Sequence, residues 1–306
     1  MLLRVIRGSS FQLTSKSRAE LALLATTLIW GNTFVAMKFV LIDTTPLMNV
    51  ATRFSVAALL FLLIFRKSLF PISRSSVIKG FILGLFLFLG FISQNIGLKY
   101  TSASKSAFIT GMMVVFVPLL QIIVERRSPK LGNILGVALV AAGLWFLTSP
   151  SGSEFNLGDA LTIGCAVVFA IYVVYLDVIS REMTAAQLSF LQMTSCGVYA
   201  WSTLLLTETP TFAMSMTSFV SLAYLTLLAT LLTTYMQTRF QKDTTPTRAA
   251  IIFSVEPVIA SISAYFILGE HLGALGIVGG GLIVVGVLVS ELSDGIPVLN
   301  KSFDVG

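Results

Sequence analysis

A chain of 306 residues that is 56% apolar and 11% charged, with a mean hydropathy of +0.91, lies outside the composition of a water-soluble domain. Its formal charge of +6 calls for no nucleic acid, because most basic residues fall in short polar segments between apolar runs, where they face anionic lipid headgroups. Two cysteines inside apolar runs, Cys165 and Cys196, and one histidine at a helix end, His271 beside Glu270, imply neither a disulfide framework nor a metal cluster; no cofactor is expected.

Residues 1–18 are basic, with no apolar core before a small-residue cleavage site, and read as a cytoplasmic segment, not a removable signal. Ten stretches long enough to span a bilayer follow, at 19–41, 46–66, 77–98, 104–124, 131–148, 158–179, 184–206, 217–239, 246–268 and 272–291. Run length and the lack of sustained apolar/polar alternation predict helices, since a spanning backbone must satisfy its own hydrogen bonds. The fold class is therefore all-α and polytopic.

Polar and aromatic groups inside these helices are the candidate site, because each is costly in lipid and calls for a reason. The first helix carries Trp30, a candidate cavity wall; Asn32, a substrate contact or an interhelical bond; and Lys38, a gating residue or a snorkelling cation. Arg53 in the second helix is about two turns deep, read as an anchor for a substrate carboxylate or a gate ion pair, or as a fixed bond to carbonyls or a carboxylate within the bundle. Gln94 ends the third helix, and its partner Gln237 ends the eighth toward the opposite face; the two suit alternating gates or helix glue. Lys105 opens the fourth helix with the same two readings as Lys38, and Pro118 predicts a kink there. Tyr172 and Tyr175 in the sixth helix are further candidate walls. Glu256, followed by Pro257 in the ninth, is read as a protonatable coupling group, with H+ as the coupling ion, or as a polar group satisfying a broken turn. Glycines of the fifth and tenth helices, including the pairs Gly132/Gly136 and Gly276/Gly280, mark close-packed scaffold or a homodimer face.

The chain also says the same thing twice. At a spacing of 143, Gln94 meets Gln237, Lys99 meets Lys242, Thr101 meets Thr244, Lys105 meets Arg248, and Gly136 and Gly143 meet Gly279 and Gly286. Earlier, a spacing of 139 pairs Glu20 with Asp159 and Thr45 with Thr184, so four residues are inserted before the third helix of the second copy. The organisation is a cytoplasmic segment 1–18, repeat one over 19–149, a linker 150–157, repeat two over 158–291 and a cytoplasmic tail 292–306. Five helices per copy is an odd number, so the second copy runs antiparallel to the first, the inverted arrangement that surrounds a central cavity in many secondary transporters. With the N-terminus inside, 16 of the 20 Lys and Arg fall on cytoplasmic segments.

Trp30-Gly31-Asn32-Thr33-Phe34 followed by Lys38, then Arg53-Phe54, Tyr100-Thr101-Ser102-Ala103-Ser104, Glu256-Pro257 and Gly269-Glu270 resemble the EamA branch of the drug/metabolite transporter superfamily. In the first half, Val124-Glu125-Arg126-Arg127 departs from the closing motif: its glutamate falls two residues out of register with Glu270. The resemblance implies a ten-helix carrier in a cell membrane, the bacterial inner membrane, moving amino acids or other small metabolites, often outward. The sequence holds no catalytic constellation and no nucleotide-binding loop; an intramembrane enzyme and a receptor or channel stay as alternatives to a carrier working by alternating access.

Overall fold

The computed structural model describes residues 14–126, 129–148, 156–207, 214–270 and 273–300. Among them ten helical bodies follow one another: α1 (Ser15–Asp43), α2 (Pro46–Leu69), α3 (Arg74–Tyr100), α4 (Ala103–Val124), α5 (Leu131–Thr148), α6 (Leu157–Ile179), α7 (Ala185–Thr207), α8 (Met216–Asp243), α9 (Pro246–Leu268) and α10 (Ala274–Leu292). Seven are long and apolar enough to cross a membrane, and α5 and α10 are shorter apolar helices. The remaining body, α7, is less apolar because Ser189, Gln192 and Ser195 are buried in it. His271, most of the N-terminal segment and of the linker, and the last six residues of the tail lie outside the described residues.

Local chemistry sets where the helices begin. Thr45 accepts from the Met48 amide ahead of Pro46, Ser102 from the Lys105 amide, and Thr245 from the Arg248 amide ahead of Pro246; each hydroxyl satisfies an amide that the first turn leaves unpaired. Asn156 and Asp159 form a reciprocal capping box on α6. Thr45/Thr184 and Ser102/Thr245 occupy repeat-related positions, so part of the recurring polar pattern is cap chemistry: Thr184 too accepts from an amide, that of Gln187. The inserted residues fall between α7 and α8, where positions 208–215 take the place that Phe70–Ser73 occupies between α2 and α3.

Packing runs between the repeats. The extensive pairings join α5 to α10, α2 to α7, α3 to α6 and α7, α1 to α8 and α9, and α4 to α6 and α9. Exchanging the two halves maps this pattern onto itself: α5/α10, α2/α7 and α4/α9 are their own images, and α3/α6 becomes α8/α1. The mates run antiparallel. Methyl groups placed on Gly136 and Gly143 would come within 2.9 Å of Gly286 O and 2.6 Å of Gly279 O, so the start of α5 lies against the end of α10. The twofold operation takes Gly136 to Gly279 and Gly286 to Gly143, turning one of these contacts into the other. In the same sense, Gln187 at the start of α7 donates to Leu69 O at the end of α2, at 2.9 Å. Of the glycines expected to form scaffold or a dimer face, Gly136 is thus met by α10 and Gly132 by Ser293 and Leu299 just beyond it, all in the same chain.

The helix breaks also respect the repeat. α4 is interrupted at Met112 and α9 at Ser254–Val255, and Met112 and Val255 are 143 apart. The kink expected at Pro118 is not the break: the helix runs unbroken through that proline from Met113 to Glu125, and the interruption lies six residues earlier, at Met112. The out-of-register glutamate also loses its structural meaning, because Arg126 (φ 52°) and Gly269 (φ 70°), again 143 apart, close α4 and α9 in the same left-handed conformation.

Candidate functional site

At the axis the two breaks meet. A methyl on Gly111 would sit 2.9 Å from the Pro257 ring, so the interrupted segments touch where glycine leaves room. Around this joint lies a cavity. Trp30 and Thr33 of α1, Arg53 of α2, and Leu87, Phe91 and Gln94 of α3 form one part of its wall. Thr110 and Met113 flank the α4 break; Phe169, Tyr172 and Val173 come from α6, Gln237 from α8, and Phe253 and Glu256 from either side of the α9 break. No lining residue comes from α5, α7 or α10 among those described, so α5 and α10 act as scaffold.

Six of the ten candidates from the sequence therefore share one cavity: Trp30, Arg53, Gln94, Tyr172, Gln237 and Glu256. Gln94 and Gln237, expected to serve opposite faces, converge on it instead. Gln94 Nε2 donates to Thr110 Oγ1 at 3.3 Å, and Gln237 Nε2 to Gln241 Oε1 at 3.0 Å. Behind the wall Tyr172 donates to Gln192 Oε1 at 2.8 Å, and Gln192 Nε2 to Thr238 Oγ1 at 2.9 Å; this chain fixes the phenol and the amide. Trp30 Nε1 donates to Thr233 Oγ1 at 3.0 Å while its ring meets Phe253 edge-on at 5.2 Å.

Arg53, 1% exposed, makes the bond to a carbonyl within the bundle that is one of its expected readings. A π-helical turn in α8, Leu227–Leu232, presents Ala229 O, which accepts from Arg53 Nη2 at 3.0 Å, and Thr230 Oγ1, which accepts from Nε. The guanidinium lies over the Phe91 ring at 4.6 Å and Phe54 at 5.5 Å. It is a strut between α2 and α8 whose face also lines the cavity. Glu256 opens the second segment of α9, where the helix dipole favours a carboxylate, and no hydrogen bond or ion pair meets it among the described residues.

Four candidates lie elsewhere. Asn32 sits at a break in α1 and accepts from Ser263 Oγ at 2.6 Å while donating to Leu28 O at 3.0 Å. Tyr175 packs on Phe86 at 5.9 Å, one turn beyond the cavity. Lys38 is turned onto the protein: its Nζ donates to Thr101 O at 2.6 Å, beside the start of α4, whose Ala103 and Ser104 amides donate to Glu270 at 2.9 and 3.1 Å. Lys105 is likewise turned inward, onto Asp159 at 2.7 Å.

The lining residues that sequence reasoning missed, among them Thr33, Phe91, Thr110, Phe169 and Phe253, are mostly aromatic or hydroxylated and look like ordinary membrane-helix residues one at a time. A usable signal exists in their spacing. Phe91 and Phe169 stand three positions before Gln94 and Tyr172, which puts each on the same helix face as a suspected residue; Phe253 and Thr33 stand three positions from Glu256 and Trp30, across a helix break.

A family model described as the EamA-like transporter family matches residues 17–149 and again 156–292. The chain belongs to this family. An Archaeoglobus fulgidus protein named an uncharacterized transporter is 31% identical over 90% of this chain and 86% of its own length. The Bacillus subtilis protein named uncharacterized transporter YyaM is 23% identical over 88% of this chain and 92% of its own length. A solved crystal structure superposes with a TM-score of 0.76 at 15% identity, covering 90% of this chain and 97% of that one, and shows the same fold. EamA membership and transporter-named relatives make this a multi-pass membrane protein and point to transport in place of catalysis.

Proposed function

We propose that this EamA protein is a secondary-active carrier for amino acids or closely related small metabolites, exporting them by alternating access between its two repeats with H+ as the coupling ion. The observation that carries the reading is Glu256: a carboxylate without an ion-pair partner, facing a cavity whose other charged lining residue, Arg53, stands on a different repeat. A zwitterion brings both complementary charges, and walls of Trp30, Phe91, Phe169 and Phe253 accept an apolar side chain. The outward direction and the bacterial inner membrane, with both termini cytoplasmic, rest on the family resemblance and the distribution of Lys and Arg.

The test is counterflow in proteoliposomes loaded with unlabelled amino acids, one class at a time, with labelled solute outside. Accumulation above equilibrium with one class, dependent on pH, supports the proposal. Passive equilibration with every class, or turnover into a new compound, overturns it.

A further inference from the structure

The polar positions that recur between the repeats assemble into two matching clusters at opposite ends of the molecule. At the end holding the N-terminus of α1, Glu20 meets Arg248 Nε at 3.1 Å and lies 3.5 Å from Thr244 Oγ1. At the other end Asp159 meets Lys105 Nζ at 2.7 Å and accepts from Thr101 Oγ1 at 3.0 Å. Glu20 and Asp159 are repeat partners, as are Arg248 and Lys105, and Thr244 and Thr101. The clusters are therefore images of one another under the twofold operation, and each joins the two repeats: α1 to α9 in one, α6 to α4 in the other.

Their depth relative to the cavity is matched too. Glu20 is ten residues before Trp30 on α1, and Asp159 ten before Phe169 on α6, a distance of about 15 Å along each helix. Arg248 and Lys105 precede Glu256 and Met113 by eight residues, about 12 Å. Each pair joins helices that also line the cavity, one pair toward each end of the molecule. Both carboxylates are well shielded, with side-chain exposures of 13% for Glu20 and 0% for Asp159, so screening by salt is weak there.

From this geometry we infer that Glu20–Arg248 and Asp159–Lys105 are the inner and outer gate latches of the transport cycle, one released while the other holds. Both pairs are formed in this structure. Their role as latches rests on the alternating-access reading above. The same charges appear on both faces because a duplicated unit inserted in opposite orientation places one set of residues at each end.

The test uses the full-length protein with Cys165→Ala and Cys196→Ala and a single reporter, Val173→Cys, in the cavity wall, labelled by a membrane-impermeant maleimide from either face in cells and in inverted vesicles. Glu20→Gln should raise labelling from the cytoplasmic face by roughly fivefold or more and lower it from the outer face by a similar factor; Asp159→Asn should do the reverse. The charge exchange Glu20→Arg with Arg248→Glu should return both rates toward the parent values and also shows that the helices still assemble. Shifts of the same sign from both faces, or no shift with either variant, would overturn the latches. Failure of the underlying reading looks different: the parent would be labelled from one face alone whatever the variant.

Discussion

The two charges in the cavity wall are tied into the fold to different degrees, and each yields a distinct expectation. Glu256→Gln keeps the shape of the side chain and removes its titration, so substrate exchange is expected to lose its pH dependence while ligand binding persists; rates measured from pH 6 to 8 that still rise or fall as in the parent would make Glu256 a structural group. Arg53 holds α8 through Ala229 O, yet its guanidinium also offers a planar fork to a carboxylate. Arg53→Lys should weaken a carboxylate-bearing substrate about tenfold more than its amide analogue, a difference of ~1.4 kcal/mol read by titration calorimetry; equal losses leave only the strut. Both residues were legible in the sequence because an ion in an apolar helix needs a reason. The partner that holds Arg53 was not: a π-turn in α8 has no mark in a run such as Leu227-Leu228-Ala229-Thr230, and the carbonyl it presents exists only once the chain has folded.

At the scale of single helices, close approach and closure decide what can be changed. On Gly143 an added methyl would meet backbone, Gly279 O at 2.6 Å and Ile283 N at 2.8 Å, which cannot swing aside as a side chain does. Gly143→Val is expected to cost about 1–3 kcal/mol, seen as a lower melting temperature in detergent, whereas Gly281→Val, with open space at the added carbon, should change it little. Arg126 holds the left-handed closure that glycine supplies at the equivalent position 269, so Arg126→Gly is expected to be neutral or to stabilise by up to ~1 kcal/mol, and Gly269→Val to destabilise. Helix number and rough extent followed from hydropathy. Breaks did not: Pro118 is tolerated within its helix, and the interruption falls at Met112, whose side chain signals nothing, because what fixes it is the contact with the α9 break across the axis.

For the molecule as a whole the repeat was the most legible feature, and it led to the inversion, the cavity and the near-identical chemistry at both ends. It could not say which copy of a residue pair contacts which, so the convergence of Gln94 and Gln237 on a single cavity emerges only with the packing. The orientation is open to direct measurement: cysteines at Ser73 and Arg181 should react from the cytoplasm alone, and at Ser102 and Ser215 from outside alone; mixed reactivity would break the inverted arrangement. One consequence concerns biosynthesis. Since the extensive helix contacts link the first repeat to the second, the first five helices enter the bilayer with few partners and must wait there until translation supplies the others. Assembly is then dominated by pairings far apart in sequence, which is slow, and the first half stays inserted but unpacked until the second has been made.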